Sequence, residues 1–284
     1  MARLRDLVDA ARTQLVAAGI PVDEAALDAE LLMRDVLAWD RASWIASRDE
    51  AAAPAAAQAF ARAIARRAGR EPMAYIRGVQ EFYGRVFHVA PGVLIPRPET
   101  ELLVDEALTL LAGQATPRIV DVGTGSGCLA ITLALESPGA TVAATDLSAD
   151  ALAIARANAT ALGVTARIDF RHTSLLDGVS GPFDLIVTNP PYVPEREAAT
   201  LAPEVVVHEP RLALFGGPDG LRDVRALVAL AATALTPGGT LVMEIGVGQW
   251  PDVRHALTEA GLGTHARVRS DLQGIPRAVV ATRG

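Results

Sequence analysis

From Arg118 to the C-terminus, short apolar runs alternate with stretches of helical period. That alternation limits the fold more than any other feature of the chain. Seven runs have strand character: RIVDVG (118–123), TVAATD (141–146), RIDFRH (167–172), FDLIVTN (183–189), GTLVMEIG (239–246), HARVRS (265–270) and RAVVATR (277–283). Helical stretches such as CLAITLALES (128–137) and SADALAIARANATALG (148–163) lie between most of them. Apolar runs separated by helices predict an α/β fold with a doubly wound, mostly parallel sheet. Only a short loop separates the last two runs, which predicts an antiparallel hairpin at one sheet edge.

The chain before this region reads differently. DEAALDAELLMRDVLAW (23–39) places Leu27, Leu31 and Leu32 on one helical face, widened by Met33, Val36 and Leu37. Asp23, after Pro21, is the expected N-cap. AAAPAAAQAFARAIARRAGR (51–70) spaces Phe60 and Ile64 four apart; its Arg62, Arg66, Arg67 and Arg70 form either a solvated face or a surface for an acidic partner. EFYGRVFHVAPGVLIP (81–96) alternates around Pro91-Gly92, predicting a β-hairpin that turns there. RPETELLVDEALTLLAG (97–113) resumes as helix, with Gly113 near its end. The expected organisation is a helical domain over 1–78, a hairpin linker over 79–96 and the sheet domain over 97–284.

Composition removes several classes of function. The net charge is −7 and the pI about 5.3, which opposes nonspecific binding to phosphate backbones. All 26 basic residues are arginine, a coding bias of little functional weight. Cys128 is the single cysteine, so no intramolecular disulfide forms. The five histidines have no metal-ligand spacing, and no metal is expected. MARLRDLVDAARTQL (1–15) is charged throughout, unlike a signal peptide, and no apolar run has bilayer length. A cytoplasmic protein with no membrane partner is expected.

Three features converge on the carboxyl edge of the predicted sheet, where open α/β sheets bind ligands. DVGTGSGCLA (121–130) ends a strand with Gly123, Gly125 and Gly127 just before a helix. Glycines there serve either close backbone approach to a ligand or merely a tight strand-to-helix turn. The G-x-G-x-G spacing misses the dinucleotide fingerprint and disfavours a nicotinamide oxidoreductase. Asp146 ends the next run, about twenty residues on, where a carboxylate reaches ribose hydroxyls; alternatively Asp146 or Ser148 caps the following helix. Asp121 is placed to hold the loop amides or a ligand ammonium. The third feature is Asn189-Pro190-Pro191-Tyr192, a rigid stop at the end of a buried run. Cys128, at a helix start, is either a small buried residue or a thiol of lowered pKa. Glu244 faces the pocket or satisfies loop amides.

With these residues in view, the sequence resembles the class I methyltransferases that use S-adenosylmethionine, through DVGTGSG (121–127), TDLS (145–148) and TNPPYV (188–193). The closer resemblance is to the glutamine-N5 methyltransferases of peptide chain release factors, the HemK/PrmC type. EFYG (81–84), GVLIPRPETE (92–101), HEPRLALFGGPDGL (208–221), MEIG (243–246) and DLQGIPR (271–277) look like blocks of that family in its order. NPPY alone is shared with DNA adenine methyltransferases; NPPY with LIPRPETE upstream is far more specific. The resemblance implies a Rossmann-like methyltransferase sheet preceded by a small helical-bundle domain. It implies S-adenosyl-L-methionine as cofactor, released as S-adenosyl-L-homocysteine. It places cofactor contacts at Asp121, Val122, Gly123, Thr124, Gly125, Asp146, Leu147, Ser174, Leu175 and Asn189. Two departures stand out: Ser174 occupies a position where the family often has an acid near the adenine, and His208 one where it has an aromatic residue.

The resemblance also assigns the substrate to Asn189, Pro190, Pro191 and Tyr192, with Asn189, Pro190 and Tyr192 catalytic. Residue chemistry agrees. An amide nitrogen is a poor nucleophile because its lone pair is delocalised into the carbonyl. Asn189 Oδ1 and the Pro190 carbonyl are suited to accept the two amide hydrogens and fix that nitrogen. The prolines keep the acceptors rigid, and Tyr192 is expected as a flat wall. No general base is evident, so the proton is expected to leave to water. The implied partner is a release factor presenting the glutamine of its Gly-Gly-Gln loop to a monomeric enzyme, with the helical domain gripping the factor. Alternatives are a ribosomal-protein glutamine, a nucleic-acid adenine (N6), which would call for a basic recognition segment that is absent, and a module that binds the cofactor without turnover.

Overall fold

A computed structural model of the chain describes residues 2–284. Its internal contacts divide it into two units. One holds the residues up to Gly78 with Ala202–His208; the other holds Val79–Leu201 with Glu209–Gly284.

The first unit is helical: α1 (Leu4–Ala17), α2 (Val22–Leu37), α3 (Arg41–Ser47), α4 (Pro54–Ala68) and α5 (Met73–Arg77). Leu15, Ile20, Leu32, Met33, Trp44, Phe60 and Ile64 form its core. On α2 the buried stripe is Ala25, Ala29, Leu32 and Met33, whereas Leu27 is 72% exposed. The expectation for Leu27 fails because it lies two residues, over half a turn, from Ala25 and Ala29. Those alanines let α1 and α2 come close. Pro21, not Asp23, precedes the first turn of α2, and Asp23 lies within that turn, where a carboxylate faces the positive helix end.

Of the four arginines of segment 51–70, Arg62 and Arg66 are exposed, as a solvated face requires, whereas Arg67 and Arg70 are taken up within the chain. Arg67 is buried, 2.6 Å from Asp28 and 2.9 Å from Glu204. Arg70 reaches Glu204 at 2.8 Å, and Arg66 reaches Glu71 at 2.6 Å. For Arg67 and Arg70 the acidic partner is the chain itself, with Asp28 and Glu204 supplied from distant segments.

The second unit opens with the hairpin β1 (Val79–Phe82) and β2 (Arg85–His88), paired Val79 with His88 through Phe82 with Arg85. Its turn is Tyr83-Gly84, with φ of +51° and +70°, a two-residue turn that matches the right-handed strand twist. The expected turn at Pro91-Gly92 therefore lies beyond the hairpin. There follow α6 (Glu101–Leu111), β3 (Arg118–Val122), α7 (Cys128–Glu136), β4 (Thr141–Asp146), α8 (Ala149–Ala161), β5 (Ile168–His172) and β6 (Phe183–Thr188). After α9 (Pro203–His208), which belongs to the first unit, come α10 (Arg211–Leu214), α11 (Arg222–Ala234), β7 (Leu235–Glu244), α12 (Trp250–Glu259), β8 (Arg267–Ser270) and β9 (Pro276–Thr282).

The sheet has the order β5-β4-β3-β6-β7-β9-β8. Its first five strands are parallel, and β9 runs antiparallel to both β7 and β8. All seven predicted runs become strands, because a sheet covered on both faces needs near-continuous apolar sequence. Successive residues still alternate sides: Ile119, Leu185 and Val187 join the core under α6, α7 and α8, while Val120, Val122 and Ile186 join that under α11 and α12. The strand order reverses between β3 and β6, where Val122 lies beside Thr188. At such a switch point two loops leave in register and open a crevice.

Candidate active site

The glycine loop leaves β3 at this switch point. Gly123, Gly125 and Gly127 have φ of +73°, +55° and +84°, conformations that favour glycine. Gly127 is also forced by space: an added Cβ would lie 2.8 Å from Ile131 Cδ1 and 3.1 Å from Ala155 Cβ. Gly123 and Gly125 instead face open space. The N–H groups of Gly123 and Thr124 both donate to the Thr145 carbonyl at 2.9 Å, tying the loop to β4.

Asp146 stands at the tip of β4. Its Oδ2 accepts from Gly125 N at 2.9 Å and its Oδ1 from Ser148 N at 2.8 Å. The cap of α8 is Ser148, whose Oγ accepts from Ala151 N. Asp146 thus serves the loop and the adjoining cavity.

Asp121 holds the loop from beneath. Its Oδ2 accepts from the Thr124 hydroxyl at 2.6 Å and from Ala130 N at 3.1 Å, while Oδ1 is buried without a partner. Burial pushes its carboxyl up to about 7, against those two hydrogen bonds.

A cavity of about 290 Å³ opens between these loops, lined by residues including Gly125, Asp146, Leu147, Leu175, Asn189 and Pro190. Val122, Gly123, Thr124 and Pro191 also reach it; Asp121, Ser174 and Tyr192 do not. Asp121 is fully buried and turned into the loop. At 173–175, Thr173 and the left-handed Leu175, with φ +49°, line the cavity, and Ser174 between them does not. Tyr192 is anchored elsewhere: its hydroxyl donates to Glu244 Oε1 at 3.0 Å, and its carbonyl accepts from Gln249 Nε2 at 2.8 Å. It fixes the NPPY turn and forms no cavity wall.

Asn189 follows β6. Its Nδ2 donates to Thr100 Oγ1 at 3.0 Å, and the Thr100 hydroxyl donates to Glu244 Oε2 at 2.6 Å. Glu244 is 1% exposed and does not line the cavity. Burial raises its pKa, opposed by the Thr100 and Tyr192 hydroxyls and by the charge of Arg277. With Nδ2 committed to Thr100, Asn189 Oδ1 is the arm left to accept. Cys128 also lines the cavity; burial pushes its thiol up to about 12, so it stays protonated.

Thr100 and Arg97 line the cavity but were not singled out from sequence. Glu209 accepts from Ile95 N at 3.1 Å and pairs with Arg97, tying LIPRPETE to the HEPR block. The recurrence of both blocks in the resemblance was the signal that could have found them. Among the described residues, no three His, Cys, Asp or Glu side chains are grouped to hold a metal, and no helix is long and apolar enough to cross a membrane.

Known families and proteins match this chain over most of its length. Residues 98–219 match the family described as Methyltransferase small domain, and residues 6–78 match the PrmC N-terminal domain. A release factor glutamine methyltransferase of Bradyrhizobium diazoefficiens is 43% identical over 281 residues, spanning 97% of this chain and 95% of that protein. One of Deinococcus radiodurans is 44% identical, spanning 99% of each. Among solved structures, the ribosomal protein L11 methylase of Lactobacillus delbrueckii subsp. bulgaricus aligns with a TM-score of 0.50 at 23% identity, over 72% of this chain and 89% of that one. The T. thermophilus 16S rRNA N2 G1207 methyltransferase aligns with a TM-score of 0.52 at 20% identity, over 72% of this chain and 50% of that one. At such identities these two likenesses concern the fold.

Proposed function

The chain belongs to the release factor glutamine methyltransferase family, and on that premise we propose that it methylates a glutamine side chain of a peptide chain release factor. The acceptor is the amide nitrogen, N5, of the glutamine in the Gly-Gly-Gln motif, and the donor is S-adenosyl-L-methionine. The observation that carries this reading is the pairing of β3 with β6, which sets a bare glycine loop beside the free carbonyl arm of Asn189.

The cavity residues fit the donor. Gly123 and Gly125 leave backbone without Cβ where a ligand must approach closely. Asp146 keeps lone pairs for ribose hydroxyls after accepting from Gly125 and Ser148. Leu147 and Leu175 offer apolar surface to a flat base. When bound, this group supplies a methyl carbon made electrophilic by its sulfonium and departs as S-adenosyl-L-homocysteine.

Asn189 Oδ1 and the Pro190 carbonyl accept the two hydrogens of the substrate amide. They fix the nitrogen, turn its lone pair to the methyl and favour the positive charge that develops there. Pro190 and Pro191 hold the acceptors in place, so little freedom is lost on binding. Tyr192 supports the turn from behind through Glu244. The surplus amide proton passes to water.

The domain roles proposed with it are 1–78 for recognition, 79–96 as linker and 97–284 for catalysis, apart from Ala202–His208, which groups with the first unit. A whole factor offers remote contacts whose binding energy positions the glutamine. Incubation with methyl-labelled donor and purified release factor, then mass spectrometry, tests the reading. One methyl on the Gly-Gly-Gln glutamine is expected; label elsewhere, or none, contradicts it.

A further inference from the structure

We infer that Glu244, acting through Thr100, fixes which arm of the Asn189 amide faces the substrate, and so makes the site select a carboxamide over a carboxylate. The inference rests on the proposed glutamine chemistry and deepens it.

An asparagine amide has two arms of nearly equal shape and opposite hydrogen-bonding sense. With Oδ1 toward the cavity, Asn189 accepts a hydrogen from a substrate NH₂ group. With Nδ2 there it donates, and would favour a glutamate carboxylate. The protein must choose, and the choice is made on the arm away from the substrate.

That arm meets Thr100 Oγ1 at 3.0 Å, and Thr100 in turn lies 2.6 Å from Glu244 Oε2. A hydroxyl has one hydrogen to give. Thr100 gives that hydrogen to Glu244 Oε2. Its oxygen is then free only to accept, and it takes the Asn189 NH₂. The other carboxyl oxygen accepts from the Tyr192 hydroxyl at 3.0 Å. One buried carboxyl thus orders three side chains in a single sense.

The placement of Glu244 points the same way. It sits at the end of β7 after Leu241, Val242 and Met243, all fully buried apolar residues, and it does not touch the cavity. Arg277, whose charge opposes the rise in the Glu244 pKa, is hydrogen-bonded to Asp271. A buried carboxylate held by two hydroxyls is costly. An apolar residue would close the strand end at lower cost but would leave Thr100 free to donate to Asn189. Glu244 is therefore a positioning residue, and Thr100 carries its effect.

The test compares Thr100→Val, which keeps the shape and removes the hydroxyl, with Thr100→Ser, which restores it. Each is assayed with a Gly-Gly-Gln peptide as substrate and its Gly-Gly-Glu counterpart as inhibitor. Thr100→Val should lower kcat/KM for the glutamine peptide ~10- to 100-fold, and the glutamate peptide should bind more tightly relative to the glutamine peptide. Thr100→Ser should recover both rate and selectivity. Because selectivity is a ratio, a general loss of stability cannot imitate the change. A Thr100→Val protein that prefers glutamine over glutamate as strongly as the unsubstituted enzyme overturns the inference. An unsubstituted enzyme that methylates no glutamine overturns the proposed function itself.

Discussion

Asp146 Oδ2 accepts the backbone N–H of Gly125 at 2.9 Å, so the carboxylate at the tip of β4 holds the glycine loop that follows β3. Ligand contact and loop geometry therefore depend on one side chain. Asp146→Ala should remove a charged hydrogen bond worth roughly 1.5–3 kcal/mol, weakening S-adenosylmethionine about 10- to 150-fold. Titration calorimetry reads this directly. Unchanged affinity would confine Asp146 to the turn before α8.

Two glycines of the same loop should respond differently. Gly127→Ala forces a Cβ to 2.8 Å from Ile131 Cδ1 at a φ of +84°. Overpacking and the left-handed backbone together should destabilise the fold by about 2–4 kcal/mol. Gly125→Ala meets no atom within 4 Å; it should cost less stability and more cofactor affinity. Thermal melts paired with calorimetry separate the two, and equal effects at both positions would contradict this assignment.

Asp121 should make stability fall as pH rises. Burial lifts its carboxyl from 3.8 to about 7, despite the Thr124 and Ala130 hydrogen bonds. Between those values the folded protein keeps a proton that the unfolded chain has released. The favourable contribution is full below the lower value and is lost as pH rises through the higher one. Asp121→Asn removes this titration. Its stability, measured by denaturant unfolding without cofactor, should decline less from about pH 4 to about pH 7. Parallel declines in the two proteins would contradict it.

The strands and the NPPY stop were legible because they depend on short-range chemistry. Val120, Leu185 and Ile186 are buried whichever face they take, and Pro190-Pro191 ends a strand in any context. Other features depend on what the fold brings together. The hairpin turns at Tyr83-Gly84 because a two-residue turn with positive φ suits twisted strands, although Pro91-Gly92 is the stronger local turn signal. Arg67 meets Asp28 and Glu204 across 39 and 137 residues, so no local pattern on α4 shows that its charge is satisfied. Thr100 reaches Asn189 and Glu244 across 89 and 144 residues. Its threonine looks like an ordinary helix-start residue until β6 and β7 stand beside it. Ser174 reads as a cavity residue, yet it is its neighbours Thr173 and Leu175 that line the cavity.

The central claim is that the free carbonyl arm of Asn189 is the acceptor that readies the substrate amide. Its most direct test is single-turnover methyl transfer by Asn189→Ala, with cofactor affinity measured alongside. Loss of one preorganised group at the reacting centre should lower the rate ~10²–10³-fold and leave cofactor affinity near that of the unsubstituted enzyme. A variant that keeps more than about half of the rate, far outside that range, would contradict the account.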